Sequence, residues 1–196
     1  MAQEIEIEFK NILTYEEYSR LLHAFSVQKT ALKEQTNYYF DTADFQLKTH
    51  KSALRIRLKH NTYTLTLKQQ KEEHILETHQ QLSEEMFSNV INGHTLPAGE
   101  VTTILENLHI PLDKIHHLGE LTTHRAEIPY ENGLLVFDEN HYLGKIDYEL
   151  EYESADYIKG KEIFLSLLQE KNIPIRDTES KIYRFFLEKH NRGGQS

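Results

Sequence analysis

Glu4-Ile5-Glu6-Ile7-Glu8-Phe9-Lys10 is the stretch from which the fold can be read. Charged and apolar residues alternate through it, and in a β-strand residues two apart share a face. Glu4, Glu6, Glu8 and Lys10 therefore line one side, with Ile5, Ile7 and Phe9 opposite. The same alternation sets Arg55, Arg57 and Lys59 against Leu54, Ile56 and Leu58, and Thr64, Thr66 and Lys68 against Tyr63, Leu65 and Leu67. It returns near the end of the chain, where Asp147, Glu149, Glu151 and Glu153 oppose Tyr148, Leu150 and Tyr152.

Strands are thus expected at residues 4–10, 52–59, 63–70, 74–82, 121–130, 134–142 and 145–153, with residues 29–41 extended. Short polar turns at His60-Asn61, Lys71-Glu72, Glu131-Asn132-Gly133 and Leu143-Gly144 separate them. A helix is expected over 14–25, with Thr14 as N-cap and Glu17 at the capping-box position. A mostly helical, polar middle runs over 83–117, and helices at 156–171 and 180–189 close the chain. The strands come in meander order, which favours an antiparallel sheet closed into a barrel.

Alternation by itself also fits an ordinary sheet with one solvated face. The sorting of charge argues for more. Acids gather on the first and last strands and bases on the middle ones, whereas a plain surface intermixes signs. Amphipathic helices can cover the apolar face, leaving the charged face inside. Ions taken out of water cost several kcal/mol each unless paired, so such an interior must be wet or filled. Carboxylates on one wall suit a hard divalent cation, Mg²⁺ or Mn²⁺. Arg and Lys on another suit phosphate oxygens. A metal-chelated polyphosphate satisfies both walls.

Composition narrows the alternatives. The 196 residues fit one domain, and 38% hydrophobic content suffices for a core. A net charge of −9 argues against coating a nucleic acid, yet a cleft's local field can still draw in a small polyanion. Zero Cys removes disulfides, thiolate metal sites and Cys nucleophiles. No apolar run reaches the ~20 residues of a membrane span, and the first residues lack the pattern of a signal peptide, so a cytoplasmic protein without membrane partners is expected. The 12 His show no zinc-binding spacing, His116-His117 included, and read as scattered surface residues. Neither a P-loop nor a serine-hydrolase elbow occurs.

Glu6-Ile7-Glu8-Phe9-Lys10 fits the Glu-x-Glu-x-Lys opening of the CYTH superfamily, the triphosphate tunnel metalloenzymes. In the right order follow Tyr39-Phe40-Asp41-Thr42, Leu54-Arg55-Ile56-Arg57, Leu65-Thr66-Leu67-Lys68, Glu77, Arg125-Ala126-Glu127, Asp138, Glu149-Leu150-Glu151 and Ser180-Lys181. The chain resembles the bacterial single-domain members, similar to thiamine-triphosphatase-like proteins. The resemblance implies an α+β fold, an antiparallel eight-stranded closed β-barrel with flanking helices, over residues 1–190, with 191–196 as a fraying tail. It implies metal-dependent hydrolysis of a triphosphate-containing substrate, while the small size and acidic charge favour inorganic triphosphate or thiamine triphosphate and argue against a double-stranded nucleic acid partner. Adenylate cyclase activity and non-catalytic polyphosphate binding stay open on the same fold, as does oligomeric state. An apolar-ligand carrier is disfavoured by the charges on Arg55, Arg57 and Lys68.

Carried onto this chain, the resemblance makes Glu6, Glu8, Glu149 and Glu151 the metal ligands. Arg55, Arg57, Lys68, Arg125 and Lys181 become phosphate-binding residues, with Lys181 similar to the lysine that plugs one tunnel end. Lys10, beside the metal glutamates, contacts phosphate and shares the catalytic role with Glu77 and Asp138. Glu77, Glu127 and Asp138 are either second-metal or water-positioning acids or structural ion pairs. Glu4 and Asp147 fit a tunnel mouth, Lys59 an exposed surface and Tyr39 a packing role. Arg184 is either a phosphate contact or a surface charge.

Overall fold

The computed structural model describes residues 3–193. Eight strands are present: β1 (Gln3–Leu13), β2 (Lys33–Asp41), β3 (Ser52–Lys59), β4 (Thr62–Gln70), β5 (Ile75–Leu82), β6 (His116–Tyr130), β7 (Gly133–Tyr142) and β8 (Lys145–Ser154). The helices are α1 (Tyr15–Ala24), α2 (Gln46–Thr49), α3 (Glu84–Ile91), α4 (Glu100–Asn107), α5 (Tyr157–Glu170) and α6 (Lys181–Gly193). The strands form a closed antiparallel barrel in the order β1-β5-β4-β3-β2-β6-β7-β8, as the alternation led us to expect. Closure leaves no strand edge unpaired.

Two compact units divide the chain. The first comprises the residues up to Ile5 with Gln35–Glu120. Its strands β2 to β5 are joined by consecutive antiparallel pairings, Arg55 lying opposite Tyr39 and Thr66, and Lys68 opposite Glu77. Leu54, Ile56, Leu65 and Leu67 are fully buried and pack with Leu47, Val90, Val101 and Leu105 from α2, α3 and α4. Burying a side chain of this size contributes about 1.5–3 kcal/mol, so the helices hold the apolar face and leave the charged face opposite them.

The second unit comprises Glu6–Glu34 with the chain from Leu121 onward. Here Leu135, Phe137, Leu150 and Tyr152 pack against Tyr18 and Leu21 of α1 and Phe164 and Leu168 of α5. Thr14 and Glu17 form the expected capping box, and Arg176 grips the same Glu17 carboxylate at 2.8 and 2.9 Å. Gly160 lets α5 sit tightly on the sheet, because a Cβ there would lie 2.7 Å from both Phe9 and Ser154.

Four local features depart from expectation. The extended segment begins with a 3₁₀ turn at Lys29–Ala31, and β2 starts at Lys33. The one-turn helix α2 was not foreseen; the Asp41 carboxylate secures it by accepting from the backbone N–H of Leu47 and Lys48 at 2.9 and 3.2 Å. The middle segment holds only α3, α4 and a 3₁₀ turn at Leu112–Lys114, and β6 begins at His116. The α4 helix ends at Asn107, and His109 just beyond it takes a left-handed φ of 58°, which breaks the helical run. The α6 helix runs to Gly193, past the expected end at Lys189, and residues 194–196 of the expected tail lie outside the described residues. Among the described residues no helix is long and apolar enough to cross a membrane.

Candidate active site

In the second unit the charged face is built from adjacent strands in register. Lys10 lies opposite Glu151 and Glu8 opposite Glu153 across β1 and β8. Glu149 lies opposite Asp138 across β8 and β7, and Asp138 opposite Arg125 across β7 and β6. One carboxylate oxygen from each of Asp138, Glu149 and Glu151 falls within 4.8 Å of the others, and all three residues are buried. Lys181, from α6, points its ammonium into this group, 2.9 Å from Asp138 and 2.8 Å from Glu149, and also pairs with Glu151.

Arg125 is fixed by the same acids. Its guanidinium meets Asp138 through two hydrogen bonds of 2.7 and 2.6 Å and Glu151 through one of 2.7 Å. Arg184, one turn beyond Lys181, donates to Asp147 at 3.0 Å and to Glu149 at 2.8 Å. Asp147 also accepts from Tyr142 and Asn140. Arg184 is thus a half-buried member of this ion-pair cluster rather than a freely solvated surface charge. Glu149 Oε1 is buried and has no hydrogen-bond partner.

The electrostatics follow from this crowding. Burial opposes the charge on Lys181, but Glu149, Glu151 and Asp138 outweigh it and hold the ammonium well above the usual lysine range. Burial likewise works against Glu151, yet Lys181 and Arg125 keep its carboxyl well below the usual range. Lys10 donates to Glu8 at 3.0 Å, and although burial disfavours its charge, Glu8, Glu149 and Glu151 raise its pKa. Glu153 goes the other way. Burial pushes it up to about 7 against the pull of Arg125, and Glu151, Glu6 and Glu8 add to the rise. Like charges directly opposite on adjacent strands repel, as Glu8 and Glu153 do.

The first unit carries the other charged face. Lys68 Nζ is 2.5 Å and Arg55 Nη2 3.6 Å from Glu77 Oε1, and His79 Nε2 is 3.2 Å from Glu77 Oε2. Burial opposes ionisation of Glu77, but Lys68 and Arg55 bring its pKa down to about 2. Arg57 Nε donates to Asn37 at 2.9 Å. The Arg55 Nε–H is buried without a hydrogen-bond partner.

Most sequence-predicted residues therefore sit on the charged faces, Lys10, Glu8, Arg125, Asp138, Glu149, Glu151 and Lys181 in one unit and Arg55, Arg57, Lys68 and Glu77 in the other. Glu6 shares strand and parity with Glu8 and acts on Glu153. Glu127 lies at the margin, 4.0 Å from Arg125 with its side chain 41% exposed. Glu4 is 73% exposed and reaches His79 at 3.7 Å. Tyr39 is buried, and Lys59 is half-buried rather than exposed. Sequence reasoning gave no role to Glu153, His79 or Asn37. Glu153 already had the parity of Glu149 and Glu151, but its repulsion by Glu8 needs the strand register.

Comparison with known proteins places this geometry. The CYTH domain family model matches residues 4–186. The chain is 47% identical over 189 residues to a Bacillus subtilis (strain 168) protein named "Putative triphosphatase YjbK", covering 96% of this chain and 98% of that protein. A Bacillus halodurans crystal structure described as "a putative adenylate cyclase (bh2851)" superposes with a TM-score of 0.91 at 42% identity, covering 95% of this chain and 100% of the other. HpAC1 from Hippeastrum, whose structure is described as revealing a dominant triphosphatase activity, shares the fold with a TM-score of 0.74 at 24% identity, covering 93% and 94%.

Proposed function

This chain belongs to the CYTH domain family, and from that premise we propose that it is a divalent-metal-dependent triphosphatase acting on a small substrate, inorganic triphosphate or thiamine triphosphate. One observation supports this reading above others: Glu77 Oε1, buried without a hydrogen bond, is met by the Lys68 ammonium at 2.5 Å, and beyond it each charged face leaves a buried polar atom unsatisfied. Arg55 Nε is a buried donor and Glu149 Oε1 a buried acceptor, each without a hydrogen-bond partner. Buried polar groups are paired in nearly all proteins, so such exceptions call for an explanation. An anion fits the first and a cation the second.

Glu6, Glu8, Glu149 and Glu151 are the residues that hold the cation in this reading, with Glu153 beside them. Their donors are all carboxylate oxygens, the set that Mg²⁺ and Mn²⁺ prefer. Burial lifts Glu153 to about 7, and a divalent cation relieves the part of the rise that Glu151, Glu6 and Glu8 add. When bound, the ion offsets charge on the phosphate oxygens and polarises the anhydride to be cleaved.

The chain's own residues do the rest. Arg125 and Lys10 bind phosphate oxygens and stabilise charge on the departing diphosphate, and Arg55, Arg57 and Lys68 are the first unit's candidate phosphate-binding residues. Asp138 fixes the guanidinium of Arg125 through its paired hydrogen bonds, and Glu77 fixes Lys68 and Arg55. These two acids act by positioning the cations rather than by touching the reacting atoms. Lys181 holds the three buried carboxylates together and joins the phosphate contacts. Water takes the terminal phosphoryl group.

The likeness to bh2851 favours adenylate cyclase activity as a second reading. A product screen with inorganic triphosphate, thiamine triphosphate and ATP, in Mg²⁺ or Mn²⁺, separates the two. Phosphate release from a triphosphate supports the triphosphatase. Cyclic nucleotide and diphosphate from ATP support the cyclase, and binding without turnover overturns both.

A further inference from the structure

The alternation that sends Arg125 and Asp138 to the charged face sends their neighbours His124 and Glu139 to the opposite one. His141, two residues beyond Glu139, shares that side. Its Nε2 lies 2.8 Å from Glu139 Oε1, and its ring meets the ring of His124 edge-on at 4.9 Å between centroids. One ligand atom from each of His124, Glu139 and His141 falls within 4.8 Å of the others. A further carboxylate oxygen, Glu34 Oε2, reaches to 3.4 Å from His124 Nε2.

We propose that His124, Glu139 and His141 form a second metal site, with Glu34 as a fourth ligand, that takes a borderline divalent transition ion such as Zn²⁺. Ligand atoms bound tetrahedrally to Zn²⁺ at about 2.0–2.2 Å stand roughly 3.3 Å apart, close to the spacing already present among His124, Glu139 and His141 and between His124 and Glu34. The donor chemistry selects the ion. Two imidazoles and two carboxylates suit Zn²⁺, Co²⁺, Ni²⁺ or Cu²⁺, while Mg²⁺ prefers oxygen alone. The imidazole-bearing face of β6 and β7 thus selects a different class of ion from the all-carboxylate set proposed on β1 and β8.

The environment is suited to capture. The His124, Glu139 and His141 side chains are 34%, 27% and 35% exposed, open to solvent yet held by neighbours in the sheet. The pairing of His124 with Glu139 is the next register step from that of Arg125 with Asp138. An ion bridging His124 and Glu139 therefore ties β6 to β7 directly behind the pair that orients Arg125. Sequence spacing conceals this site, because His124 and His141 come together only through the β6–β7 register.

The test is calorimetric titration of Zn²⁺ into the untagged protein at pH 7.5 with excess Mg²⁺ present, comparing the parent with H124Q/H141Q. The parent is expected to bind one Zn²⁺ that the variant binds at least about tenfold more weakly, since losing even an outer partner of a metal ligand costs that much. Lowering the pH to 5.5 should weaken binding by the parent, because protonated imidazole is no ligand. If the double variant does not fold, E139Q with Co²⁺ replaces it, read by the visible absorption of the bound ion. Equal affinity in parent and variant overturns the proposal, as does Zn²⁺ binding that is indifferent to acid. Because neither variant touches the charged face, failure here leaves the triphosphatase reading standing.

Discussion

Replacing Lys181 with Met removes the ammonium from three acids and keeps the apolar stem. In the parent it lies 2.9 Å from Asp138 and 2.8 Å from Glu149, whose side chains are 0% exposed, and pairs with Glu151, whose side chain is 4% exposed. Arg125, Arg184 and the more distant Lys10 are then left to balance three buried charges. Removing one partner of a buried ion pair costs roughly 3–5 kcal/mol. At roughly 2–4 °C per kcal/mol for a chain of this size, Tm should fall by roughly 6–20 °C at pH 8 in chelator.

The sign of the pH dependence follows from Glu151, which Lys181 and Arg125 hold below its usual 4.5 despite burial. In the parent its contribution is present above 4.5 and is lost as pH falls toward the depressed folded value. Without Lys181 the balance at Glu151 shifts toward burial, which raises its carboxyl pKa and destabilises the fold at higher pH. The gap between parent and variant should therefore narrow at pH 4, where protonation relieves the unpaired charge. Mg²⁺ or Mn²⁺ should narrow it too, because the ion replaces the lost ammonium and binds the variant more tightly than the parent, each tenfold difference in Kd closing the gap by about 1.4 kcal/mol. Thermal melts followed by circular dichroism, at both pH values and with or without metal, measure all of this. A gap under about 2 °C that ignores pH and metal would refute the reasoning.

Arg55→Ala and Arg57→Ala should each lower kcat/KM for inorganic triphosphate by roughly 10- to 150-fold, because a charge-assisted contact is worth about 1.5–3 kcal/mol. Lys59→Ala, of the same strand parity, should change it little, and steady-state kinetics on the three variants check this. Glu153→Gln should raise Tm at pH 8 in chelator and leave it unchanged at pH 4. The carboxyl, lifted from 4.5 to about 7, opposes folding only where the unfolded chain is already ionised. Equal shifts at the two pH values would count against the crowding of Glu153 by Glu6 and Glu8.

The period-two alternation of Glu4 to Lys10, Leu54 to Lys59 and Asp147 to Glu153 was enough to read most strands and their charged faces. The Thr14–Glu17 capping box marked α1, because its chemistry is contained in four residues. What escaped depends on contacts distant in sequence. The α2 helix is only one turn long, and its N–H groups are satisfied by Asp41, a residue of the preceding strand. The start of β6 at His116 follows from pairing rather than from any local preference of His116-His117-Leu118-Gly119. Glu77 faces Lys68 because the β4–β5 hairpin sets that register. The company of Asp138, Glu149, Glu151 and Lys181 joins β7, β8 and α6, and no spacing along the chain announces it.

The central claim is that the carboxylates of β1 and β8 hold the cation that hydrolysis requires. Its most direct measurement is phosphate release from inorganic triphosphate across a Mn²⁺ titration, in the parent and in a folded E6Q/E8Q variant. The account predicts release that saturates with Mn²⁺ in the parent, disappears in chelator, and is absent from the variant at every metal concentration. Parent activity that persists in excess chelator, or a variant that matches the parent's Mn²⁺ dependence, would contradict it.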